Sequence, residues 1–373
     1  MQIAREVKNL LGYIIARAAA YRSYILPFLT VTLAKVSGAV FFFHSLELDT
    51  TDTYWMRAWG MTTSFPRWPF LFLGWDSGWY LDLALHGYHD PLTYAFFPGY
   101  PSIIYILNSG VRNVSVSAVL CSLVFGVAWI PFFQMVAEQY LPKPIALRCT
   151  LVMAFYPYLF VFTTVAYSES LFLFACTASW YFFLKNRIFY ASILATVATF
   201  TRIVGVLIAL PMLLDLVHRR EWKHLSQSFI APVAFLGWVG YCYVSGGDWL
   251  AFVNAQQYWE LPANSWINHI TITNDTWEIF SLILIPIIIY HSRKVDWRLA
   301  TYSLSYFFVV LLGSYTSIHR FLPFLFPLFI TLFKWTNKPT LRFINQFTVV
   351  LCILFFSYAL LLWNWFLLGK WIS

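Results

Sequence analysis

Charge is scarce in this chain: 11% of its 373 residues are Asp, Glu, Lys or Arg, against 60% hydrophobic and 21% aromatic. With a mean hydropathy of +0.67, that balance excludes a water-soluble globule. Cysteine is also sparse. The five residues, Cys121, Cys149, Cys176, Cys242 and Cys352, all fall in apolar stretches without metal-ligand spacing. That pattern implies neither a zinc site nor a disulfide framework, and they read as packing residues. No internal repeat stands out, no signal-peptide cleavage pattern precedes the first apolar run, and no soluble domain is left once the apolar runs are set aside.

What is present are apolar runs of helical length, with Gly and Pro inside them and Trp and Tyr near their ends. This suits an all-α integral membrane bundle and not the weak alternation of a barrel. Basic residues cluster in alternate connections: Arg5, Lys8, Arg17 and Arg22, then Lys143/Arg148, Lys185/Arg187, Arg219/Arg220/Lys223, Arg293/Lys294/Arg298 and Lys334/Lys338/Arg342. By the positive-inside rule these connections and the N-terminus are cytoplasmic. The crossings expected are 23–45, 116–140, 148–166, 169–184, 188–200, 203–217, 227–245, 279–291, 299–314, 321–333 and 343–368, about eleven passes in one transmembrane domain spanning 1–373. The pair around Thr201-Arg202 is shortest. Thirteen residues rise only about 20 Å, less than the ~30 Å hydrocarbon core, so the apex is expected inside the outer half of the membrane, lining a cavity. Residues 1–22 carry an apolar stripe at helical spacing beside Arg and Lys and are expected on the cytoplasmic surface.

On this topology most of the acids fall outside, together with Arg202, His319 and Arg320, so the non-cytoplasmic face is the working face. Its two large hydrophilic elements are a first external loop, 46–115, and a second, 246–278, each too long for a mere connector. Within the first, Phe96 to Leu107 is apolar but short and holds Pro98 and Pro101, which predicts a helix lying along or dipping into the membrane. The net charge of +8 fits contact with anionic lipid and gives no sign of nucleic acid. An aspartate flanked by aromatic residues, Trp75-Asp76-Ser77-Gly78-Trp79, is costly near a membrane without a partner or a purpose.

The run Trp75-Asp76, Gly87-Tyr88 and Ala95-Phe96-Phe97-Pro98 resembles the first luminal loop of the GPI mannosyltransferase II (PIG-V) family, in the GT-C glycosyltransferase superfamily. The likeness continues in order through Tyr167-Ser168-Glu169-Ser170-Leu171-Phe172, the Thr201-Arg202 apex, Gly247-Asp248-Trp249-Leu250-Ala251-Phe252 with Gln256 and Trp259, and Arg320 ahead of Phe326-Pro327. The chain is short beside eukaryotic members, which points to a prokaryotic relative. The resemblance implies a GT-C-type polytopic bundle whose first external loop bears membrane-parallel helices. It also implies sugar transfer from a dolichyl- or polyprenyl-phosphate hexose, most often mannose, to a lipid-linked or membrane-near acceptor. The expected location is the plasma membrane for a prokaryotic chain and the endoplasmic reticulum for a eukaryotic one, with the site on the non-cytoplasmic face.

Inverting transfer needs a carboxylate to take the acceptor proton and a positive site for the departing phosphate. Asp76 is the candidate base; the competing account is a helix N-cap before Ser77 to Leu85. Arg202, with His319 and Arg320, forms the candidate phosphate site; the competing accounts are a buried salt bridge from Arg202 to Glu169 or Asp82 and interfacial snorkelling by His319-Arg320. Glu169 is placed to accept from a sugar hydroxyl, to orient Arg202, or simply to complement a helix N-terminus. Trp75, Trp79, Asp82, Tyr167, Gln256 and Trp259 complete the candidate substrate contacts, with interfacial packing as the plainer account of the last two. No metal or other cofactor is called for, since there is no acidic metal-binding motif of the nucleotide-sugar type. Two other classes stay open: a transporter or flippase for a lipid-linked sugar, and a non-catalytic subunit that keeps the fold and stabilises a partner enzyme.

Overall fold

A computed structural model describes residues 2–45, 68–258, 276–312, 318–321, 324–337, 347–370 and 372. In chain order the helices are α1 (Gln2–Ser45), α2 (Ser77–His86), α3 (Gly99–Val111), α4 (Val114–Ala137), α5 (Lys143–Phe155), α6 (Pro157–Phe162), α7 (Glu169–Leu184) and α8 (Ile188–Thr201). They continue with α9 (Ala209–His218), α10 (Trp222–Ser228), α11 (Ile230–Gly246), α12 (Ala251–Asn254), α13 (Thr276–Ser292), α14 (Trp297–Leu312), α15 (Ile318–Phe321), α16 (Phe326–Thr336) and α17 (Thr348–Leu367). Among the described residues there is no strand. Among the described residues four segments are long and apolar enough to cross a membrane, Tyr24–Ser45, Val114–Ala137, Trp222–Gly246 and Thr348–Leu367.

Local chemistry explains most of the boundaries. Asn113 caps α4, its side chain accepting from the Val116 N–H at 3.0 Å, and α11 ends on Gly247 in the left-handed conformation, φ +73°. The stretch expected as one crossing over 148–166 is instead α5 and α6, broken at Tyr156 (ψ 123°) because a residue before proline is driven out of the α region. The chain also runs as one helix from Gln2 to Ser45, so no helix break separates the basic N-terminal segment from the first span. The short helix expected over Phe96–Leu107 lies at Gly99–Val111, just after Pro98. The expected break at Thr201-Arg202 is present: α8 stops, Arg202 is extended (φ −153°, ψ 145°), and a 3-10 turn over Ile203–Ile208 leads into α9.

The centre of the bundle is α7. Twelve of its sixteen residues are buried, as expected of a helix that is apolar on all sides. It packs between α4 and α8, while α1 and α3 lie against α4. The apex is tight. A Cβ on Gly205 would overlap the backbone carbonyl of Ala198 and come to 2.5 Å from the Thr199 nitrogen. Neither neighbour is a movable side-chain tip, so we expect Gly205→Ala to cost about 1–3 kcal/mol, read as a lower thermal unfolding midpoint in detergent; an unchanged midpoint would contradict this packing.

One charge lies within the apolar span Tyr24–Ser45 of α1. Lys35 is 3% exposed, and its Nζ donates to Thr163 Oγ1 (2.8 Å) and Thr164 Oγ1 (2.9 Å) and sits 3.5 Å from the Phe160 carbonyl. No carboxylate among the described residues pairs with it. Its partners cluster at the C-terminal end of α6, where exposed carbonyls favour a cation.

Candidate functional site

The residue before Asp76 carries the first structural signal. Trp75 has φ +46°, a left-handed conformation that a bulky side chain adopts only when its surroundings force it. The forcing contacts come from the segment ahead of α7. The Tyr167 hydroxyl accepts the Asp76 N–H at 3.0 Å, Ser77 Oγ donates to the Ala166 carbonyl at 3.0 Å, and the Ala166 N–H donates to the Phe72 carbonyl at 2.7 Å. The loop 72–77 is thereby stitched to residues 166–167, and the carboxylate of Asp76 is aimed by that stitching.

Asp76 does not cap its helix. It occupies the N-cap position of α2 but makes no side-chain capping bond, which removes the plainest structural account of it. Its Oδ2 instead lies 3.4 Å from both Nη1 and Nη2 of Arg320. Arg320 also donates from Nε to Glu169 Oε1 at 2.5 Å, and Glu169 Oε1 accepts from Arg202 Nη1 at 3.0 Å. Two carboxylates and two guanidiniums thus form one line, Asp76–Arg320–Glu169–Arg202, with formal charges that cancel.

The four members are not equally accessible. The Glu169 side chain is fully buried and that of Arg320 is 7% exposed, whereas Asp76 and Arg202 are each 18% exposed. The two interior groups therefore hold the two outer ones. Arg202 keeps reach to spare. Nη1 also contacts Ser168 Oγ at 3.3 Å, Nε and Nη2 make no hydrogen bond to any described residue, and the guanidinium lies over the Phe321 and Phe324 rings at 5.0 and 5.7 Å. Burial pushes the Asp76 carboxyl above its ordinary pKa, with the Arg320 guanidinium pulling the other way. A carboxylate shifted upward is a better proton acceptor near neutral pH.

The remaining sequence candidates separate into groups. Tyr167 is buried, and besides holding the Asp76 backbone its ring faces the Arg320 guanidinium at 4.8 Å. Trp79 stacks on Phe96, 5.9 Å between centroids. Asp82 turns away from the charged line and pairs with His86 Nδ1 (2.8 Å) and His89 Nε2 (3.4 Å). Gln256 donates to the Ala95 carbonyl at 3.2 Å, strapping the segment after α12 to the turn before α3. Trp259 and the side chain of His319 lie outside the described residues.

Sequence reasoning misses Tyr80. It stands four positions after Asp76 on α2, is buried, and donates to Ser168 Oγ at 2.8 Å, next to the Arg202 contact. The i, i+4 spacing from Asp76 is the signal that could have found it. Among the described residues no cluster of His, Cys, Asp and Glu is arranged to hold a metal ion. Comparison with protein-family models gives no match to this chain, and comparison with curated protein sequences gives none either.

Proposed function

We infer that the chain is an inverting glycosyltransferase of GT-C type, with about eleven membrane passes. It moves a hexose, mannose in the first instance, from a polyprenyl-phosphate donor to a lipid-linked or membrane-near acceptor on the non-cytoplasmic face. The observation that carries this reading is the orientation of Asp76: a carboxylate withheld from its own helix and placed at one end of a neutral charged line whose other end is a partly exposed arginine.

In the reaction that fits, the acceptor hydroxyl oxygen attacks the anomeric carbon and the bond from that carbon to the phosphate oxygen breaks. The proton goes to Asp76, and polyprenyl phosphate leaves against Arg202. Arg320 and Glu169 act by position: Glu169 fixes the Arg202 fork, and Arg320 keeps Asp76 and Glu169 from repelling one another. Arg202 is the phosphate group of choice because its Nε and Nη2 face no other described partner.

The decisive assay uses protein in nanodiscs, radiolabelled polyprenyl-phosphate mannose and a panel of lipid acceptors. A new glycosidic bond supports the reading; donor carried between leaflets without one would replace it with a transporter. For Arg202→Ala we expect weaker donor binding, since one charge-assisted contact to phosphate is worth about 1.5–3 kcal/mol, roughly 10- to 150-fold in affinity. Donor binding unchanged in that variant would remove Arg202 from the phosphate site.

A further inference from the structure

A concavity lies at the other end of α2 from Asp76, and none of the four residues of the charged line is in its lining. It is a cavity of about 460 Å³ between the turn after α2 and the start of the second external loop, lined by Tyr88, His89, Asp90, Tyr94, Asp248, Ala251 and Asn254. That volume is in the range of a small-molecule site. The two sides are fixed to one another. Tyr94 donates to Ser245 Oγ at 2.9 Å, Gln256 straps the loops as described above, and Gly246 permits the close approach, since a Cβ there would come to 3.0 Å from Tyr94 Cζ.

The lining is specific in its chemistry. The Tyr88 and Tyr94 rings are stacked, 5.1 Å between centroids, and Trp238 backs Tyr88 at 5.1 Å. Around them stand two carboxylates already held in place: Asp90 Oδ1 accepts from the Leu92 N–H at 2.8 Å, and Asp248 accepts from the Leu250 N–H at 2.9 Å and from Asn254 Nδ2 at 2.7 Å. Among the described residues no Lys or Arg lines the cavity, and His89 is paired with Asp82, 3.4 Å from its Nε2. Fixed hydrogen-bond acceptors set against a rigid aromatic wall suit a hydroxyl-rich ligand, and two carboxylates facing one cleft repel an anion.

We propose that this cleft is a remote acceptor subsite, taking a neutral, hydroxyl-rich head group and rejecting anionic ones. The assignment rests on the glycosyltransferase reading. The α2 helix, ten residues long, separates it from Asp76 by about 15 Å at 1.5 Å per residue. An acceptor whose reacting hydroxyl sits at Asp76 reaches the cleft only through a head group extended along this helix.

Saturation-transfer NMR on the nanodisc-embedded full chain tests this, with mannobiose as the neutral probe and its uronic-acid analogue as the anionic one. We expect signal for mannobiose and none for the uronate in wild type. Ala251→Phe, which fills the cleft, should abolish the mannobiose signal, and Asp248→Asn should admit the uronate. Asp76→Asn should bind mannobiose like wild type, because it alters the reacting end alone. Mannobiose binding that is absent from wild type or survives Ala251→Phe, or a uronate that binds wild type equally well, overturns the subsite. If the cleft behaves as expected while no donor sugar is ever transferred, the enzyme reading fails and the binding site stands. If transfer occurs but Ala251→Phe leaves acceptor KM unchanged, the subsite fails and the enzyme reading stands.

Discussion

For the Asp76→Asn protein we expect sugar transfer to fall by about 10²- to 10⁴-fold, the usual contribution of a positioned general base, with donor affinity close to that of wild type. Asparagine keeps the shape of the side chain and the backbone N–H that donates to Tyr167, so the loop 72–77 should hold. What disappears is the proton acceptor. The pH dependence offers a separate check. A base works only unprotonated, so wild-type transfer should fall as pH falls through the Asp76 pKa. Burial raises that pKa, so the acid limb should lie above the range of an ordinary aspartate. An Asp76→Asn protein with undiminished transfer would assign the base elsewhere; one that loses donor binding as strongly as turnover would make Asp76 a donor ligand instead.

The second large effect is on stability. Glu169→Ala should destabilise the fold by about 3–5 kcal/mol, the usual result of breaking a buried ion pair by removing one partner. Glu169 is the shared counter-ion of Arg202 and Arg320, and its removal leaves the buried Arg320 with the longer contact to Asp76 as its one ion pair among the described residues. The measurement is the thermal midpoint in a fixed detergent. Glu169→Gln keeps the volume and one acceptor oxygen and should lie between alanine and wild type. Equal midpoints for all three proteins would mean that the arginines find other partners and that the line is not held as described.

Much of this site is legible in the amino-acid sequence alone, for identifiable reasons. The Trp75-Asp76 and Tyr-Ser-Glu-Ser runs mark both carboxylates, and the short apolar runs on either side of Thr201-Arg202 place an arginine at a break. The Arg202–Glu169 pair, one of the partnerships those residue types allow, is present at 3.0 Å. Arg320 is harder. Its contact with Asp76 spans 244 positions, and no local periodicity encodes a meeting at that distance. The anchoring of Asp76 by Tyr167 and Ser77 is equally hidden, because it depends on backbone groups of two separate loops. Tyr156-Pro157 carries a readable break signal that the count of apolar residues across 148–166 obscures. Tyr88 and Asp248 stand in runs that carry the family resemblance, but the cleft itself is not legible, since its two walls, 88–94 and 245–255, acquire meaning only when they face each other.

Lys35 bears on how the protein is made. Its partners Thr163 and Thr164 lie 128 and 129 positions downstream. At about 5–20 residues per second that is a delay of roughly 6 to 25 s during synthesis. Throughout that interval α1 already exists, with an ammonium group and none of the hydroxyls that will receive it. A lysine at the middle of a membrane helix costs about 2.5–3.5 kcal/mol on insertion scales, so the emerging helix is held towards water or headgroups until the end of α6 arrives. Docking of the first helix to be translated thus waits on the segment that also carries Tyr167, whose hydroxyl holds the Asp76 backbone.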